Sequence, residues 1–150
     1  MKKPVLYIVI PCYNEEEVLE ETTRRITAII ERMVKEDLVS EESRMLPVDD
    51  GSRDRTWEII ERLHAANPLV GGVKLAANSG HQNALLAGLF TACEKADIMV
   101  SIDADYFGYK LCEVEWFTAA KKVEMAAKRH AKYILPVLQQ AIREQLEKEG

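Results

Sequence analysis

Carboxylates recur in this sequence where short apolar runs stop. "MLPV" is followed by Asp49-Asp50-Gly51-Ser52, and "DIMVSI" by Asp103-Ala104-Asp105. In extended chain, residues two apart share a face, so Asp103 and Asp105 would point the same way. Such a pair suits Mg²⁺ or Mn²⁺, which prefer carboxylate oxygens and bridge protein to phosphate groups. A bare D-x-D arises often by chance. At the end of a buried strand it carries more weight, because an unpaired carboxylate there lowers stability unless something compensates it. The familiar phosphate loops are missing: no G-x-G-x-x-G follows the first apolar run, and no G-x-x-x-x-G-K-[ST] occurs. A pyrophosphate bound here would need a divalent cation in place of a glycine cradle.

Other residues with chemical capacity read more plainly. Glu15-Glu16-Glu17 resembles a metal cluster in composition, yet at a helix N-terminus these side chains compensate the dipole. Histidine is a residue type suited to acid–base chemistry, but His81 stands just before a helix, where a polar loop or capping role fits. His64 and His130 fall in helical stretches and read as surface residues. Cys12 has no evident base partner and reads as a small buried apolar residue. Asp49 has two open readings, a ligand contact or a turn carboxylate that accepts backbone N–H bonds.

The elements that must position these residues alternate. "VLYIVI" (5–10) is a continuous β-branched run, as expected of a strand buried on both faces. Asn14 with Glu17 three residues on makes a capping-box pattern for a helix running to about Lys35. "MLPV" (45–48) is a second strand, and Ser52 or Asp54 caps a second helix carrying Trp57, Ile60 and Leu63. "VGGVKL" (70–75), a helix over 84–95 and "DIMVSID" (97–103) follow. Four strands separated by helices imply βαβ units and a parallel sheet, an α/β Rossmann-like three-layer fold. Pro47 lacks the ladder N–H, so it calls for an edge, a bulge or a distorted strand. In such sheets ligands bind beyond the carboxyl ends of the strands, where "PCYNEEE", "DDGSRD", "AANSGHQN" and "DAD" converge.

At 150 residues one domain is expected, able to bury about two thirds of its unfolded surface. The apolar share of 47% and charged share of 30% are those of a globular protein. A net charge of −5 argues against non-specific nucleic-acid binding. No run approaches the ~20 apolar residues of a membrane span, and the N-terminal apolar run meets charge where a signal peptide needs small residues. Cys12, Cys93 and Cys112 form no metal-type pair, which suits reduced thiols and a cytoplasmic location.

Taken in order and at their intervals, "VLYIVIPCYNEEEVL", "VDDGSRDRTWEII", "KLAANSGHQNALLAGL" and "ADIMVSIDAD" resemble glycosyltransferase family 2. They are most similar to its polyprenyl-phosphate (undecaprenyl or dolichyl) hexosyltransferases, over about residues 4–105, the nucleotide-sugar-binding half of a GT-A fold. The resemblance implies that Pro11, Tyr13 and Glu15 line the nucleoside pocket and that Asp50 hydrogen-bonds the base, uracil or guanine. It implies that Asp103 faces ribose and metal, with Ala104 between, and that Asp105 coordinates Mn²⁺ or Mg²⁺ against the diphosphate of a UDP- or GDP-type nucleotide or nucleotide sugar. No residue is assigned as general base.

Past Asp105 the resemblance stops. Tyr106 and Phe107 stand where family members often carry Leu-Gln, and "YFGYKLCEVEWF" reads as a strand or an irregular passage. Residues 106–150 read as an unrelated helical tail, possibly grafted, with amphipathic sets from Phe117 to Ile134 and from Val137 to Leu146 around Pro136. These helices would cover the open sheet face, or dock against a partner or second copy. The expectation is a truncated or chimeric donor-binding domain deficient in sugar transfer. The alternative is a non-catalytic engineered or structural α/β scaffold without useful affinity. The strand-end nucleophile motif of haloacid-dehalogenase-type phosphatases, which "IMVSIDAD" also resembles, wants Thr or Val where Phe107 stands.

Overall fold

In the computed structural model, which describes residues 3–102, 104, 115–118, 140 and 144, the first apolar run is the centre of a five-stranded sheet. The elements are β1 (Leu6–Cys12), α1 (Leu19–Lys35), β2 (Arg44–Asp49), α2 (Thr56–Ala66), β3 (Val73–Lys74), α3 (His81–Cys93), β4 (Ile98–Ser101) and β5 (Glu115–Thr118). The spatial order is β3-β2-β1-β4-β5, with β1 to β4 parallel and β5 antiparallel on β4. The α/β fold with a parallel sheet is therefore the one the alternation predicts. Residues Glu115–Thr118 extend the same sheet, so the passage "YFGYKLCEVEWF" ends in a strand, one of its two readings, and Phe117 leaves the amphipathic helical set. The amphipathic helices expected beyond them lie outside the described residues, apart from Gln140 and Glu144, which are helical.

Every residue of β1 is buried. One face gives Leu6, Ile8, Ile10 and Cys12 to a core with Leu19, Ile26, Ile30 and Met33 of α1 and Ile60 of α2. The other gives Tyr7 and Val9 to a core with Leu46, Val48, Met99 and Ala84, Leu85 and Ala92 of α3. Each fully buried aliphatic side chain stabilises the fold by ~1.5–3 kcal/mol relative to exposure, so both faces of the sheet hold it in place. On α3, Gly88 permits a close approach: a Cβ there would lie 2.4 Å from a Val9 methyl and 2.8 Å from a Val48 methyl.

Pro47 sits opposite Ile10 in an interior strand. Backbone groups alternate along a strand, and Met45 and Asp49 direct theirs toward the third strand: Met45 N–H donates to Leu69, Gly71 N–H to Met45 and Leu75 N–H to Asp49. Pro47 lies between them on the same edge. Its missing N–H thus faces the interval between the isolated bridge at Val70 and the start of β3 at Val73, where pairing is interrupted. The proline is accommodated by a broken neighbour, and β3 shrinks from the expected 70–75 to two residues.

The capping box at Asn14 does not form. The chain first makes a turn closed by Val18 and Leu19 N–H groups on the Glu15 carbonyl, and α1 starts at Leu19 with no side-chain cap. Asn14 adopts φ +51° and sends its carboxamide oxygen to the Arg53 N–H at 2.9 Å. α2 also lacks a capping bond at Arg55, but Asp54 Oδ1 accepts the Thr56 N–H at 2.9 Å, which satisfies a first-turn donor.

Candidate functional site

At the carboxyl end of the sheet, the loops after β1 and β2 are laced by side-chain-to-backbone hydrogen bonds. Asn14 N–H donates to Ser52 Oγ at 2.9 Å, Glu15 N–H to Thr56 Oγ1 at 2.9 Å and Glu16 N–H to Asp54 Oδ2 at 3.2 Å. In return Arg55 N–H donates to Glu16 Oε2 at 3.2 Å. Burial alone would raise the Asp54 carboxyl, but the hydrogen bonds it accepts from the Thr56 hydroxyl and from the backbone N–H groups of Thr56 and Glu16 outweigh burial and hold it below the usual range. Glu16 and Asp54 are thereby structural members of the rim.

Beside this lacing opens a cavity of about 500 Å³ lined by Pro11, Cys12, Tyr13, Glu15, Asp50, Asn78, Gly80, His81, Ala84 and Ala104. Of the residues the sequence singles out, Pro11, Tyr13, Glu15, Asp50 and Ala104 meet on this wall; Asp103 and Asp105 lie outside the described residues. Among the described residues no group of three or more His, Cys, Asp or Glu side chains is placed to hold a metal ion. Ala104, between the two aspartates, is fixed from α1: the buried Thr22 hydroxyl donates to its carbonyl at 2.6 Å.

The two adjacent carboxylates at the end of β2 have different surroundings. Asp49, 1% exposed, accepts the Ser52 N–H on Oδ1 at 3.1 Å, while Oδ2 is buried with no hydrogen-bond partner among the described residues. Asp50, 4% exposed, reaches the cavity and accepts N–H bonds from Ser79 at 2.7 Å and Gly80 at 3.1 Å. Cys12 donates its thiol to the Ile10 carbonyl at 3.2 Å. Burial first, then the charges of Glu15 and Asp49, push that thiol far up, so it is no nucleophile. His81 is the first residue of α3, and with Asn78 it joins the cavity from the strand-end loop "AANSGHQN", which the sequence places at the ligand-binding edge without assigning either residue a role. His64, on α2, donates from Nδ1 to the Val70 carbonyl at 2.6 Å.

The cavity places polar groups from three parallel strand ends around one space, beside an exposed aromatic ring, Tyr13. Residues 7–110, which supply this wall, match the family described as "Glycosyl transferase family 2". The chain belongs to glycosyl transferase family 2. It is 52% identical over 103 residues to an uncharacterized glycosyltransferase, YkoT, of Bacillus subtilis (strain 168), covering 69% of this chain and 31% of that protein. It is 38% identical over 99 residues to an undecaprenyl-phosphate 4-deoxy-4-formamido-L-arabinose transferase of Pseudomonas fluorescens (strain SBW25), covering 65% and 27%. Among solved structures it resembles the mannosyltransferase PcManGT from Pyrobaculum calidifontis, in complex with GDP-Man and Mn²⁺. That likeness has a TM-score of 0.53 and 26% identity, and covers 70% of this chain and 28% of that one. The chain thus spans less than a third of the length of the curated relatives it matches. Among the described residues no helix is long and apolar enough to cross a membrane.

Proposed function

We propose that this family 2 domain binds a nucleoside diphosphate or nucleotide sugar of the UDP or GDP type in the cavity at the carboxyl end of the sheet. The observation that carries the reading is the meeting of Pro11, Tyr13, Glu15, Asp50 and Ala104 on one wall. Tyr13 offers an exposed ring for a base to stack on, and Asp50 is a buried carboxylate for a base N–H. A carboxylate has about four lone-pair sites, so the two backbone donors already on Asp50 leave room for one more. The described lining carries Glu15 and Asp50 and no Lys or Arg. A diphosphate entering beside these carboxylates requires a cation, and Asp103 and Asp105 are the residues we assign to hold Mn²⁺ or Mg²⁺. When bound, such an ion would neutralise the diphosphate and favour departure of the nucleotide. This chain's residues would orient the nucleoside. We also propose that hexosyl transfer to a polyprenyl phosphate is weak in this chain, since among the described residues of the cavity we assign none as general base.

Calorimetric titration of UDP and of GDP, each with Mn²⁺ and then with EDTA, tests the reading. Binding that disappears with EDTA is the expected result. Asp50→Ala should weaken it by ~1–3 kcal/mol, the usual loss for a buried hydrogen bond to a charged group. No binding of either nucleotide at millimolar concentration would refute the proposal and leave an α/β scaffold without a ligand.

A further inference from the structure

The stretch 76–80, which gives Asn78 and Gly80 to the cavity wall, has few described contacts of its own. Sheet pairing on this side ends with Leu75, whose N–H donates to the Asp49 carbonyl at 2.9 Å, and α3 begins at His81. Between them, the Ser79 hydroxyl bonds back to Ala77 at 3.1 Å, and Asn83 caps the Ser79 carbonyl at 2.7 Å. Those contacts are local. Among the described residues the long-range hydrogen bonds come from Asp50, twenty-nine and thirty residues away in sequence, whose two oxygens take the successive N–H groups of Ser79 and Gly80. Gly51 brings the same loop into backbone contact. It has φ +67°, and a Cβ there would lie 2.4 Å from Asn78 N and 2.6 Å from the Ala77 carbonyl carbon.

We propose that Asp50 is the positioning residue of this wall: its carboxylate brackets Ser79 and Gly80 and so holds Asn78 at the cavity. The role rests on the nucleotide reading above only for what Asn78 then meets; the bracket itself acts in the ligand-free protein. Asn78 is exposed and lines the cavity, and its carboxamide can both donate to and accept from a base edge. Asp50 therefore acts on the ligand twice, by its own remaining lone pairs and through the placement of Asn78.

Asp50→Asn separates these tasks from fold stability, because it keeps the shape but offers a single acceptor atom for two N–H donors. Hydrogen exchange on the ligand-free chain should show the Ser79 and Gly80 amides exchanging ~10-fold faster or more, with Ile8 and Ile10 unchanged, as expected of local opening. Gly51→Ala displaces the same loop while leaving the carboxylate intact, and should loosen the same two amides. With UDP or GDP and Mn²⁺, Asn78→Ala should weaken binding several-fold in the wild-type background and by less than about 2-fold in Asp50→Asn, the non-additivity of coupled neighbours. Unchanged exchange at Ser79 and Gly80 in Asp50→Asn overturns the bracket. Additive effects of Asp50→Asn and Asn78→Ala overturn the placement of Asn78. If the wild-type chain binds neither nucleotide, the nucleotide reading falls, and with it the placement of Asn78 against a base. The exchange result still decides the bracket.

Discussion

Gly88 of α3 lies so close over Val9 of β1 that any side chain on the helix at this point would occupy the valine's space. Alanine is a better helix former than glycine by about 1 kcal/mol, but Val9 is fully buried and Val48 closes the other side. Gly88→Ala should therefore be net destabilising, by ~1–3 kcal/mol for overpacking. Urea unfolding would measure it, and the double variant Gly88→Ala, Val9→Ala should cost less than the two single losses added.

The Thr22 hydroxyl is buried and serves the Ala104 carbonyl. Thr22→Val keeps the volume and removes the donor described for that buried carbonyl, so ~1–3 kcal/mol should be lost. Thr22→Ser keeps the hydroxyl and should lose less. Equal losses for both variants in denaturant unfolding would assign Thr22 to packing alone.

Replacing Pro47 with valine restores an N–H where pairing with the third strand is broken. A regular interior position would gain a ladder bond; here the stability change should stay within ~1 kcal/mol, the scale of one net hydrogen bond or of a proline's stiffening of the unfolded chain. Thermal unfolding is sufficient. A gain well above that range would mean that residues 70–73 zip onto β2 once the donor is present.

The depressed Asp54 carboxyl gives acid stability a direction. Its folded pKa lies below the ordinary 3.8, so in the window beneath 3.8 the unfolded chain binds more protons and stability falls as pH falls. Above 3.8 the full contribution is present. The stability gap between wild type and Asp54→Asn should thus be constant from neutral pH down to that value and narrow below it, as urea midpoints across the acid limb would show.

Asp105→Ala should abolish any dependence of nucleotide binding on Mn²⁺ while the chain stays folded. Binding by the variant that Mn²⁺ stimulates as before would rule out Asp105 as a ligand of the ion.

The elements of this fold are legible because burial leaves a plain trace: β1 is buried on both faces, and its residues are correspondingly apolar, with Ile8, Val9 and Ile10 β-branched at its centre. The strand ends could likewise be read as converging, since parallel strands joined by helices bring their carboxyl ends to one edge. What the sequence hides are contacts whose partners are far apart. Asn14 looks like the start of a helix, and only the structure shows its carboxamide committed to Arg53. Asn78 and His81 line the cavity from a loop the sequence already places at the ligand-binding edge, but nothing local singles out these two residues within it. Pro47 is intelligible only with the strand order in hand, because its effect depends on which neighbour its missing donor faces.

The lacing between the loops after β1 and β2 bears on how a ligand would be received. Each backbone N–H tied there has lost its freedom when the chain folds, not when something arrives. The rim from Tyr13 to Thr56 is in this sense a fixed jaw, and a guest would find that side of the cavity already in its bound shape. The opposite wall, between Leu75 and His81, is joined to that rim by the Asp50 carboxylate on the Ser79 and Gly80 N–H groups, so the order set in the rim on folding reaches across the cavity.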